Sequence, residues 1–144
     1  MTSKILLVED SPEDQDLIQM SLREGGLANE VVVAEDGREA LDYLFGEGRF
    51  AGRSVKDAPA VVMLDLKLPR VDGLEVLRSI RGDERTKLQP VVILTSSDED
   101  RDRAACYALG ANSYVRKPVD FDEFRRAVKE VKLYWLLVNV PPAV

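Results

Sequence analysis

Five short strand-like runs, most of them apolar, each followed by a segment of helical spacing, constrain this chain more than any other feature. Residues 4–8 (KILLV) form the first run and Val31–Ala34 the second. The third spans 60–64, the fourth 91–94 and the fifth, which is shorter, 113–115. The brevity and polar flanks of the first suit a fully buried strand rather than a helix, and the others are read as strands as well. Between the first two runs, Ser11 supplies a helix N-cap, Pro12 the first helical position, and Glu13 and Asp14 the acids of a first turn. Gly25-Gly26 is expected to stop that helix. Asp36-Gly37-Arg38-Glu39 opens a second, with Ala40, Leu41 and Leu44 on one face. Further helices are predicted over 73–81 and 98–109. A last one starts near Asp120, with Phe121, Phe124, Val128, Val131 and Trp135 on one stripe. Residues 46–59, rich in glycine and mixed charge, read as a long surface loop.

Parallel strands need crossover helices, so this alternation predicts a parallel sheet covered on both faces. The expected fold class is α/β, a flavodoxin-like (βα)5 doubly wound sheet with strand order 2-1-3-4-5. With 144 residues the chain fits one domain. We expect one folded unit over 1–131 and an apolar C-terminal extension of the last helix over 132–144.

Composition removes several function classes. The chain has no histidine, which excludes Ser-His-Asp and Cys-His catalysis, histidine metal sites and histidine proton shuttles. Its single cysteine, Cys106, cannot form an internal disulfide, and its position on a helix face reads as packing rather than redox chemistry. With 26 acidic residues against 20 basic and a net charge of −6, the chain lacks the broad positive field of nucleic-acid binders, so protein partners are expected. No apolar run approaches the roughly 20 residues of a spanning helix, and residues 5–8 are cut short by Glu9 and Asp10. A cytoplasmic protein that contacts neither membrane nor nucleic acid is the expectation.

Open parallel sheets bind ligands at the carboxyl ends of their strands, where strand order reverses. The first run ends in Glu9-Asp10, the third in Asp65, the fourth in Thr95-Ser96, and the fifth runs into Lys117-Pro118. In the order 2-1-3-4-5 the first and third strands are neighbours, so Glu9, Asp10 and Asp65 should converge, with Thr95 and Lys117 alongside. Three carboxylates at one place repel, and one lysine neutralises only part of that charge. Either a carboxyl takes up a proton or a hard cation binds. Oxygen ligands with room for water suit Mg²⁺. A carboxylate can also act as a nucleophile toward phosphorus.

Together these segments resemble the receiver domains of two-component response regulators. The resemblance rests on VEDSPED at 8–14, MLDLKLPRVDG at 63–73 (D-x-x-x-P-x-x-D-G), LTSS at 94–97 and VRKP at 115–118, in that order and at strand ends. It implies that Asp65 is the phosphoacceptor for a partner sensor histidine kinase. Asp10 and Asp65 would bind Mg²⁺ directly, the backbone carbonyl of Lys67 would add a ligand, and Glu9 would act mostly through water. Lys117 would pair with the phosphoryl group, Thr95 would swing toward it, and Tyr114 would be the aromatic that moves with Thr95. The Lys117-Pro118 bond resembles one the family holds cis. The loop at 46–59 and the ending YWLLVNVP at 134–141 also resemble regulators that accompany bacterial phytochromes, which implies a light-sensing kinase as partner.

Rival readings fare worse. A dinucleotide oxidoreductase needs a glycine-rich turn after the first strand, where this chain carries acids. An aspartyl phosphohydrolase usually places a second acid two residues after the nucleophile, where Lys67 stands. A receiver-like module that is never phosphorylated would not need Asp10, Asp65, Thr95 and Lys117 together. The expected protein is therefore a phosphoacceptor switch that assists its own phosphorylation and dephosphorylation rather than an enzyme. The length leaves no room for an output domain, so output through protein contact or phosphorelay is expected. Finally, Leu133, Tyr134, Trp135, Leu136, Leu137, Val138 and Val140 put apolar residues on every side of the helix end. A homodimer through this C-terminal helix is expected, because one monomer should not bury them all.

Overall fold

A computed structural model describes residues 4–24 and 29–142, so the glycine stop expected at Gly25-Gly26 lies outside the described residues. The elements run β1 (Ile5–Val8), α1 (Pro12–Arg23), β2 (Val31–Ala34), α2 (Gly37–Phe45), β3 (Val61–Leu64), α3 (Gly73–Gly82), β4 (Val91–Thr95), α4 (Asp100–Ala108), β5 (Ser113–Arg116) and α5 (Phe121–Leu133). The strands form one parallel sheet in the order β2-β1-β3-β4-β5, as the alternation of runs predicts. The loop at 46–59 carries a short 3-10 turn, Gly48–Phe50.

Successive strand residues point to opposite faces, and the core divides accordingly. Leu6, Val8, Val62, Leu64 and Ile93 pack with Leu41, Leu44, Leu77, Ile80 and Cys106 of α2, α3 and α4. Ile5, Leu7, Val61, Met63 and Val92 pack on the other face with Ile18, Leu22, Phe124, Val128 and Val131 of α1 and α5. Coverage of both faces accounts for the apolar sequences of the three inner strands, which are buried throughout, whereas the edge strand β5 carries Ser113 and Arg116 and is half-buried to exposed. Helix starts are set by side-chain caps: Ser11, Asp36, Asp72 and Asp120 accept from the backbone N–H three residues on, each contributing about 1 kcal/mol.

Three expectations are corrected. Phe121 is exposed and does not belong to the buried stripe of α5, which is Phe124, Val128 and Val131. As the first residue of the helix it turns toward Arg125, whose guanidinium lies 5.6 Å from its ring centre. The second concerns the described peptide bonds, none of which is cis; the Lys117-Pro118 bond is trans, the form X-Pro bonds favour by about 0.5–1 kcal/mol. Beyond Leu133, finally, the helix does not simply run on past the sheet. It loosens into a π-helical turn, Tyr134–Val138, which brings Trp135 and Leu136 partly onto the core. Lys132, just before the turn, is buried and donates to the carbonyls of Leu22 and Glu24 at the end of α1. Leu133, Tyr134, Leu137, Val138 and Val140 stay exposed. Among the described residues, no helix is long and apolar enough to cross a membrane.

Candidate functional site

Sheet register brings the acids together. Val8 pairs with Leu64, so the residues that follow, Glu9 and Asp65, leave the sheet side by side. The Asp65 N–H donates to the Val8 carbonyl at 3.1 Å, and the Glu9 N–H to Ala34 at 3.0 Å. Glu9 is 1% exposed and Asp65 8%, whereas Asp10 is open to solvent. Carboxylate oxygens of Glu9, Asp10 and Asp65 all lie within 4.8 Å of one another, a spacing and donor set that fit a small hard cation.

Lys117 enters from the far side. Thr95 pairs with Arg116, and the Lys117 N–H donates to the Thr95 carbonyl at 2.6 Å, which places Lys117 just past the sheet edge. Its ammonium is shared by Glu9 Oε1 (2.5 Å), Asp14 Oδ2 (2.8 Å) and Asp65 Oδ2 (3.2 Å). The expected convergence of Glu9, Asp65 and Lys117 is therefore present, and the trans Lys117-Pro118 bond does not prevent it.

Electrostatics follow from burial. Burial pushes the Glu9 carboxyl up to about 7, against the Lys117 hydrogen bond, with the Asp65 charge adding to the rise. Burial works against the Lys117 charge, but hydrogen bonds to Asp14 and Glu9 and the charge of Asp65 outweigh it and raise its pKa. Asp65 Oδ1 accepts from the Leu66 N–H at 2.7 Å, leaving Oδ2 toward the lysine. Gly73 presses on the same backbone: a Cβ there would stand 2.2 Å from the Asp65 carbonyl oxygen. The D-G pair thus does two jobs, with Asp72 capping α3 and Gly73 permitting the close approach.

Thr95 is buried at the end of β4, and its Oγ1 accepts from the Ser97 N–H at 3.3 Å. Tyr114 is half-buried and donates its hydroxyl to the Ser97 carbonyl at 2.9 Å. The Ser97 hydroxyl donates to Asp102 at 2.6 Å. Lys67 is exposed in the loop between β3 and α3, two residues past Asp65. Cys106 is buried, and burial raises its thiol to about 11, in keeping with packing rather than reactivity.

Sequence reasoning missed Asp14, Gln15 and Asp102. Asp14 read locally as a first-turn acid, yet its side chain reaches Lys117 across the site. The Gln15 amide donates to the Glu9 carbonyl at 2.7 Å and steadies the end of β1. A cavity of about 630 Å³ lies elsewhere, at the opposite ends of the strands. It runs between Trp135 and Leu136 of the tail and the loops carrying Pro59 and Leu88, away from the carboxylate cluster.

The chain's similarities to known proteins agree with this geometry. The response regulator receiver domain family matches residues 5–129. Probable methanogenesis regulatory protein FilR2 of Methanothrix harundinacea is 44% identical over 139 residues, covering 96% of this chain and 86% of FilR2. Response regulator Rcp1 of Synechocystis is 34% identical over 96% of this chain and 92% of its own. The crystal structure of its Mn²⁺-bound form is similar at a TM-score of 0.90, with 34% identity, over 98% of this chain and 99% of that one. The crystal structure of the phosphorylated cyanobacterial phytochrome response regulator RcpA is similar at a TM-score of 0.92, with 38% identity, over 99% of this chain and 100% of that one.

Proposed function

This chain belongs to the response regulator receiver domain family, and from that premise we propose that Asp65 accepts a phosphoryl group from a partner histidine kinase. Phosphorylation by a kinase is the general function of such signalling switches. The observation that carries the assignment is the buried carboxylate of Asp65, set among Glu9, Asp10 and Lys117 at adjoining strand ends.

In the proposed step a carboxylate oxygen of Asp65 attacks the phosphorus of a phosphohistidine. The P–N bond breaks, and its electron pair stays with the imidazole nitrogen as the acyl phosphate forms. Asp10 and Asp65, with the Lys67 carbonyl, would hold Mg²⁺ directly, and Glu9 would hold it through water. When bound, the cation neutralises charge on the phosphoryl oxygens. Lys117 would pair with those oxygens as they gain charge. Thr95 would turn its hydroxyl toward the new group and Tyr114 would follow, a two-state bias read out by protein contacts or a phosphorelay.

Two finer readings accompany this. The similarity to RcpA, a phytochrome response regulator, supports a phytochrome-type kinase as the donor. The exposed apolar residues of the C-terminal turn support a homodimer built on 132–144.

Intact-mass measurement after incubation with acetyl phosphate and Mg²⁺ tests the central reading. The wild type should gain one phosphoryl mass, and Asp65→Asn should gain none. A phosphoryl group found on Ser96 or Ser97 would overturn the assignment.

A further inference from the structure

We propose that Asp14 is the standing acceptor for Lys117: it keeps the ammonium engaged when Glu9 and Asp65 turn to a divalent cation, and it thereby sets the cation affinity of the site. This rests on the metal reading above and concerns how that same site is regulated.

Lys117 has three N–H donors and three carboxylate acceptors, Glu9 at 2.5 Å, Asp14 at 2.8 Å and Asp65 at 3.2 Å. Two of those acceptors, Glu9 and Asp65, also belong to the cluster whose oxygens lie within 4.8 Å of one another; Asp14 does not. A cation and an ammonium repel, and each draws on the charge of Glu9 and Asp65. Cation entry therefore weakens two of the lysine's three ion pairs and leaves the one to Asp14.

Local geometry shows that Asp14 is turned to this task. It occupies the third position of α1, where an acid ordinarily reaches back to the N–H of the capping residue. Here the Ser11 N–H is taken instead by Glu9 Oε2 at 3.1 Å. Ser11 still caps the Asp14 N–H through its hydroxyl at 3.3 Å. Glu9 thus fills half of the capping box, and the Asp14 carboxylate is left to reach Lys117. The Lys117 side chain is 8% exposed and that of Asp14 32%, so the ammonium is buried while the carboxylate that holds it reaches in from the rim of the site.

Without Asp14, Lys117 would have only Glu9 and Asp65, and a cation would have to displace it from both. Calorimetric titration of the full chain with MgCl₂ tests this. Glu13→Gln is the control, because Glu13 is exposed and lies in the same helical turn, so the variant removes one charge without touching Lys117. Asp14→Asn should weaken Mg²⁺ binding roughly three- to tenfold beyond Glu13→Gln, and Asp14→Glu should recover most of that loss. In a Lys117→Met background, Asp14→Asn and Glu13→Gln should become equal. Lys117→Met strips buried Glu9 of its counter-charge and can fail to fold; the three-way comparison in the wild-type background then decides alone. Equal affinities for Asp14→Asn and Glu13→Gln, or an undiminished Asp14→Asn deficit without Lys117, would overturn the role of Asp14 while leaving the metal reading intact. A wild type that binds no Mg²⁺ would overturn both.

Discussion

Thr95 and Tyr114 are joined through a single residue: the Ser97 N–H donates to Thr95 Oγ1 at 3.3 Å, and the Ser97 carbonyl accepts from the Tyr114 hydroxyl at 2.9 Å. A hydroxyl that turns toward a phosphoryl group on Asp65 must release the Ser97 N–H. The backbone that positions the Tyr114 ring is then free to shift. Ser97 is held a third way, by its own hydroxyl on Asp102 at 2.6 Å.

Thr95→Val keeps the size of the side chain and removes this acceptor. It should still take up a phosphoryl group, yet show smaller chemical-shift changes around Tyr114 by NMR. Loss of the hydrogen bond should lower stability by about 0.5–1.5 kcal/mol in urea unfolding. Shift changes as large as in the wild type would show that the hydroxyl does not couple the two residues.

The pH dependence of the metal-free protein has an unusual source. Histidine is absent, so the usual titrating side chain between pH 5 and 8 is missing. Burial instead pushes Glu9 from an ordinary 4.5 to about 7. A raised carboxyl binds its proton more tightly in the folded chain than in the unfolded one. Its contribution is therefore complete below pH 4.5 and is lost as pH rises through about 7. Stability should fall between about pH 4.5 and 7 with a slope of at most ~1.4 kcal/mol per pH unit, and level off above. Glu9→Gln should flatten the slope, as should saturating Mg²⁺, whose affinity should itself rise over the same window. Urea midpoints of chelator-treated protein that do not change with pH would refute this.

Gly73 tests how the phosphoacceptor loop is shaped. Its N–H donates to the Leu66 carbonyl at 2.8 Å, and any Cβ would collide with the Asp65 carbonyl at 2.2 Å. Because the obstacle is backbone, it cannot be relieved by a rotamer change. Gly73→Ala should cost about 1–3 kcal/mol and weaken Mg²⁺ binding by moving Asp65. Unchanged unfolding and binding would mean that the loop accommodates the methyl group.

Much of this architecture is legible in the sequence because it is local. Strands β1 to β4 are short apolar runs, each of Ser11, Asp36, Asp72 and Asp120 caps the helix it precedes, and the register of β1 on β3 then carries Glu9 to Asp65. Asp14 was not legible, because an acid in a first turn has a sufficient local explanation and its partner Lys117 lies 103 positions away. Phe121 misled for a related reason. Helical spacing places it near Phe124, but the start of the helix turns it toward Arg125 and solvent. The tail reads as an apolar extension of the last helix, and it continues α5 as a π-helical turn rather than as regular α-helix. A π-helical turn changes which side chains share a face, and no residue pattern announced it.

The tail gives the final prediction. The π-helical turn sends Trp135 and Leu136 inward and leaves Leu133, Tyr134, Leu137, Val138 and Val140 outward on one short stretch. Burying a large apolar side chain fully is worth roughly 1.5–3 kcal/mol, and contiguous patches of this kind usually mark an interface. Identical chains most simply cover such a patch by two-fold pairing. Cutting the chain before the turn would also remove Trp135 and Leu136 from the core, so point substitutions separate assembly from folding better. Leu133→Glu with Leu137→Glu places charge only on exposed positions, so the monomer fold should stay intact and the unfolding midpoint should fall only by what the dimer contributes. Sedimentation should show the wild type as a dimer and the double variant as a monomer. A wild type that stays monomeric at high concentration, or a double variant that stays dimeric, would rule out pairing through this surface.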